Sequence, residues 1–113
     1  MSADSTLSTH VLDTSLGRPA AGVPVTLERA TGEVLGSGVT DADGRVRSIS
    51  RDGVSLGAGT YRLRFDVDAY FAQDGRSSFY PEVTVLFRIG AGGEHYHVPL
   101  LLSAFGYSTY RGS

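Results

Sequence analysis

An all-β fold, two sheets packed face to face with about eight short strands and one short helix, is predicted by three features of the 113-residue chain. Apolar residues alternate with polar ones at period two in segment after segment. Clusters of Gly, Pro and Asp separate these segments at short intervals. Only one stretch carries a helix signature. Together they describe an antiparallel sandwich of two layers.

The elements follow in order. Leu7–Asp13 is β-rich and stops at the turn signal Gly17-Arg18-Pro19. Val23, Val25 and Leu27 alternate with Pro24, Thr26 and Glu28, the pattern of a half-buried strand. Glu33–Thr40 is a weaker strand interrupted by Gly36 and Gly38, and Asp41-Ala42-Asp43-Gly44 is a tight turn leading into Arg45–Ser50. Tyr61, Leu63 and Phe65 form one apolar face against Arg62, Arg64 and Asp66. Asp68–Asp74 is the helix, with Asp68 as N-cap and Gly75 beyond its end. Val83, Val85, Phe87 and Ile89 make the next apolar face, Gly90–Gly93 a loop, and a strand pair closes the chain. Pro99 gives no ladder hydrogen bond, which places its strand at an edge or at a bulge.

One domain spanning 1–113 is expected, with residues 1–6 disordered. A hydrophobic content of 41% suits a packed globule. The formal charge of -2 supplies no attraction for nucleic acid or an anionic membrane, and no apolar run reaches membrane-spanning length. The opening Met1-Ser2-Ala3-Asp4-Ser5-Thr6 lacks the features of a secretory signal, so a cytoplasmic protein is expected. Cysteine is absent and all ten basic residues are arginine. Thiolate, disulfide and lysine Schiff-base chemistry are thereby excluded.

Chemistry is concentrated towards the C-terminus. In a strand His95 and His97 share a face with Pro99 and Leu101, while Tyr96, Val98, Leu100 and Leu102 take the other. His10 shares a face with Ser8 and Leu12. Read singly, each histidine is a satisfied polar side chain, Arg45 and Arg111 are surface arginines, and Tyr107 and Tyr110 are strand aromatics. Read together, two chemistries remain open. Three histidines can ligate zinc with an open water position, although no carboxylate is placed to support them. Alternatively, a neutral imidazole takes a proton from water while an arginine offsets the charge developing on an attacked carbonyl.

The segments Leu7-Ser8-Thr9-His10-Val11-Leu12-Asp13, Gly17-Arg18-Pro19-Ala20, Asp43-Gly44-Arg45, Phe79-Tyr80-Pro81-Glu82, His95–Ser103 and the closing Tyr110-Arg111-Gly112-Ser113 occur in this order. In this the chain resembles the transthyretin-related 5-hydroxyisourate hydrolases of urate breakdown, from Leu7 to Ser113, with the closing tetrapeptide the most specific match. The resemblance implies a transthyretin-like sandwich assembled as a homotetramer, a dimer of dimers, with active sites between dimers. It implies hydrolysis of 5-hydroxyisourate to 2-oxo-4-hydroxy-4-carboxy-5-ureidoimidazoline without metal or organic cofactor. Catalytic roles fall on His10, Arg45 and His97. Substrate binding falls on His10, Arg45, Tyr110, Arg111, Gly112 and Ser113, and His95 has a supporting part. The competing reading on the same fold is a small-ligand carrier of the transthyretin kind.

Overall fold

Period-two alternation becomes two facing sheets in the computed structural model, which describes residues 5–112. The elements are β1 (Thr6–Asp13), β2 (Arg18–Pro19), β3 (Pro24–Arg29), β4 (Val34–Val39), β5 (Arg45–Val46), β6 (Gly59–Asp66), α1 (Val67–Ala72), β7 (Glu82–Ile89), β8 (His95–Ser103) and β9 (Gly106–Thr109). One sheet runs β2-β1-β8-β9, with β5 also pairing with β1, and the other runs β4-β3-β6-β7. Leu7, Val11, Leu100 and Leu102 from the first sheet meet Val25, Leu27, Leu63 and Phe65 from the second, all buried. Phe71 of α1 is buried in the same core.

The two outer faces differ in character. On the second sheet, Glu28 lies opposite Arg62 and forms ion pairs with Arg62 at 3.2 Å and Arg64 at 2.7 Å. On the first sheet the outward positions carry histidine, serine and threonine instead, and this is where the candidate site is built.

Several local expectations are corrected. The sandwich is not wholly antiparallel, because β1 and β8 pair in parallel from Thr6↔His95 to Asp13↔Leu102. Their connection runs through the whole second sheet, and it returns the chain in the same direction. Arg18–Pro19, read as a turn, also forms the two-residue β2, which brings the strands to nine among the described residues. The helix is capped by Asp66, whose carboxylate accepts the Ala69 N–H, and Asp68 falls in the first turn. Pro99 lies in an internal strand, where the β8–β9 ladder stops between the Leu100↔Thr109 pair and the isolated His97↔Gly112 bridge. Its missing N–H therefore costs no ladder bond there, and its carbonyl accepts from the Thr109 hydroxyl at 2.7 Å. Order also begins before Leu7: Ser5 is buried and Thr6 opens β1, so only residues 1–4 of the segment expected to be disordered lie outside the described residues.

A buried carboxylate anchors the far end of β1. Asp13 is fully buried and accepts hydrogen bonds from Tyr70 Oη at 2.7 Å, Arg76 Nη2 at 2.9 Å and the N–H groups of Ser15 and Leu16. Burial pushes its pKa up, but the bonds from Tyr70, Arg76 and the Leu16 N–H outweigh this and hold it below the ordinary 3.8. A carboxyl lowered in this way stabilises the fold at neutral pH, and that contribution is lost as pH falls below 3.8 towards the native value. Asp13→Ala is expected to cost about 3 kcal/mol, because it leaves a guanidinium and two N–H groups without their buried partner. Urea denaturation at pH 7 checks the loss.

Candidate active site

The first half of the site is set by a turn. The Asp41 carboxylate accepts the N–H groups of Asp43 at 2.9 Å and Arg45 at 3.0 Å, closing the loop before β5. Gly44 sits at φ +76°, and a Cβ there would lie 2.4 Å from the Val11 carbonyl oxygen, so only glycine lets this turn dock on β1. The docking aligns Arg45 with His10 as cross-strand partners. His10 Nε2 lies 2.9 Å from the Asp43 carbonyl oxygen. A carbonyl only accepts, so Nε2 carries the proton and neutral His10 keeps its lone pair on Nδ1.

The second half comes from β8. Parallel pairing puts Thr6 beside His95, Ser8 beside His97 and His10 beside Pro99. Hydroxyls and imidazoles then interlock: Thr6 Oγ1 is 2.6 Å from His95 Nδ1, and Ser8 Oγ is 2.8 Å from both His95 Nε2 and His97 Nδ1. His95 is exposed, whereas His97, His10 and Arg45 are half-buried. Burial lowers the His97 pKa below 6.5, and the positive charge of Arg45 and the neighbouring His10 and His95 lower it further. His97 is therefore a neutral imidazole at pH 7, the form able to accept a proton.

The closing segment folds back onto this histidine. The Gly112 N–H donates to the His97 carbonyl at 2.8 Å, and a Cβ on Gly112 would stand 2.6 Å from His97 Cδ2. No side chain fits without moving the imidazole. Gly112→Ala is expected to lower turnover about 10²-fold through that displacement, measured as kcat on a variant with unchanged circular dichroism. Arg111 turns the other way, forming an ion pair with Glu94 and lying 4.4 Å from the centre of the Tyr96 ring. Tyr110 and Arg111 line a cleft of about 310 Å³ with β7 residues. Arg45 and His95 border a separate hollow of about 180 Å³ with Ser8. Ser113 lies outside the described residues.

Within one chain, then, the tertiary structure brings His10, Arg45, His97 and Gly112 to one outer face, while Tyr110 and Arg111 line the neighbouring edge cleft. Sequence reading missed Thr6 and Ser8. Their only signal was Ser8 lying two residues before His10 in β1, and the partner that makes it matter is 89 residues away. Among the described residues no group of three or more His, Asp or Glu side chains is placed to hold a metal ion, and both His95 ring nitrogens are engaged by hydroxyls. No helix among them is long and apolar enough to cross a membrane.

The sequence model of the HIUase/Transthyretin family matches residues 7–112. The chain belongs to that family. The HIUase/Transthyretin match extends to a curated 5-hydroxyisourate hydrolase from Salmonella dublin, 46% identical over 110 residues, covering 95% of this chain and 80% of that protein. The solved Klebsiella pneumoniae 5-hydroxyisourate hydrolase is 47% identical, with a TM-score of 0.86 over 96% of this chain and 99% of that one. Transthyretin from Sparus aurata superposes with a TM-score of 0.85 at 33% identity, over 95% of this chain and 96% of that one. The transthyretin-like sandwich expected from the sequence is thus the HIUase/Transthyretin fold.

Proposed function

We propose that this protein is a 5-hydroxyisourate hydrolase, converting its substrate to 2-oxo-4-hydroxy-4-carboxy-5-ureidoimidazoline. The observation that carries the reading is likeness along nearly the whole chain, at 46% and 47% identity, to proteins named for that activity. The outer face of the first sheet supports it with a chemistry suited to opening a cyclic amide. His97, neutral and half-buried, takes a proton from the attacking water. Arg45 orients the substrate and offsets the negative charge that develops on the attacked carbonyl oxygen. His10, held by the Asp43 carbonyl, steers the water or the ring from the other side. Tyr110 and the main chain of Arg111, Gly112 and Ser113 bind the polar edge of the ring. No step in this scheme calls on a metal or an organic cofactor.

The working unit is a homotetramer in the cytoplasm. Its motive lies at the edges of the sandwich: β9 and β7 are end strands, and Phe105, Tyr107, Tyr110 and Leu86 are exposed there. Bare apolar edges invite further strand pairing, and a symmetric partner consumes them. Gel filtration is expected to give one tetrameric peak of 12.0-kDa chains with no monomer at micromolar concentration.

The direct test mixes the protein with freshly generated 5-hydroxyisourate and follows its ultraviolet absorbance. Loss far faster than spontaneous decay is expected, and decay at the spontaneous rate would overturn the reading. The transthyretin relative keeps a carrier function in view as the competitor. Tight, stoichiometric binding of thyroid hormone without hydrolysis would favour it.

A further inference from the structure

The hydroxyls of β1 give His97 a feature that the hydrolase reading requires but does not itself supply. A neutral imidazole has two tautomers, and only the one with its proton on Nδ1 leaves a lone pair on Nε2 to receive a proton. His97 Nδ1 faces Ser8 Oγ at 2.8 Å, and the same oxygen faces His95 Nε2 at 2.8 Å. A serine hydroxyl has a single hydrogen and two lone pairs, so it can accept from both rings, or donate to one and accept from the other. His95 Nδ1 in turn meets Thr6 Oγ1 at 2.6 Å. When Ser8 accepts from both, His97 carries its proton on Nδ1; when it donates to one ring, the four groups form a chain that runs in one of two directions. In one, His97 Nδ1–H donates to Ser8, Ser8 donates to His95 Nε2, and His95 Nδ1–H donates to Thr6. In the other every bond reverses, and His97 carries its proton on Nε2. The first direction leaves the His97 lone pair, rather than an N–H, on Nε2, the ring nitrogen that Ser8 does not engage.

We propose that Ser8, itself oriented by His95, is a positioning residue that locks His97 in the Nδ1–H tautomer. The inference rests on the hydrolase reading for its purpose. Ser8 goes on accepting from Nδ1–H when His97 becomes an imidazolium, so the new charge meets a hydrogen bond already in place. His95 acts through Ser8: with its Nε2 as acceptor, the serine hydrogen is committed away from His97.

Two measurements test this, and the first needs no substrate. In the free, wild-type protein, ¹⁵N spectra of the imidazoles are expected to show His97 protonated at Nδ1 and bare at Nε2. Ser8→Ala is expected to mix the two tautomers, and Ser8→Thr, which keeps the hydroxyl, to restore the wild-type spectrum. In kinetics, Ser8→Ala is expected to lower kcat about 10-fold to 100-fold with KM changed less than about threefold, as suits a group acting on the base rather than on substrate binding. Ser8→Thr should recover most of that loss, and His95→Leu should move spectrum and kcat in the same direction as Ser8→Ala. A wild-type His97 protonated at Nε2 overturns the proposal, as does wild-type kcat in Ser8→Ala or no recovery in Ser8→Thr. Failure of the wild-type protein to hydrolyse 5-hydroxyisourate would instead remove the purpose, while the spectra still decide the tautomer on their own.

Discussion

Turnover of 5-hydroxyisourate is expected to fall about 10²–10⁴-fold when His97 is replaced by alanine, the range that a positioned proton acceptor contributes. The fold should survive, because the His97 side chain lies on the outer face of the first sheet and the core residues Val98 and Leu100 face the other way. Circular dichroism and gel filtration check that survival. The pH profile provides a second readout. Burial, then the Arg45 charge and the neighbouring imidazoles, hold His97 below 6.5, so the basic form persists to lower pH than in a free histidine. The acid limb of kcat/KM should accordingly lie below pH 6.5 and vanish in His97→Ala. The sign for stability follows from the same shift. Below 6.5 the unfolded chain takes up a proton before the native His97 does, so acidification destabilises the fold through this residue.

Arg45→Ala is expected to lower kcat about 10²–10³-fold, the usual cost of removing a donor aimed at a developing oxyanion. It should also move the acid limb of kcat/KM. Removing a positive neighbour makes protonation of His97 less unfavourable, so its pKa rises and activity is lost at a higher pH than in the wild type. Burial, the larger cause, remains, and the limb should stay below 6.5. A profile that does not move would mean that Arg45 stabilises the transition state without sensing the base. Its backbone N–H remains bonded to Asp41 in the variant, so the turn that presents position 45 should persist.

Local chemistry makes much of this molecule legible in its sequence. The alternations in Tyr61–Phe65 and Val83–Ile89 are short-range patterns, and both appear as strands with those residues turned inward, Phe87 only partly buried. The Asp41–Gly44 turn is likewise encoded within a few residues, since Asp41 accepts from N–H groups two and four positions on. The helix cap was misplaced by two residues for the same reason in reverse. Asp66 and Asp68 both offer a carboxylate, and what selects Asp66 is where β6 ends.

What the chain alone determined was most of its strands and turns and the residue types available for acid–base work, because each depends on neighbours a few positions apart. The parallel β1–β8 ladder, its register and the placement of Ser8 between two histidines were decided only by the fold. Such pairings join residues 87 and 89 positions apart, and no local propensity specifies which segment becomes the partner or in which direction it runs. Gly112 makes the same point at the smallest scale. Its lack of a side chain is visible in the sequence, but the imidazole that needs the space is not.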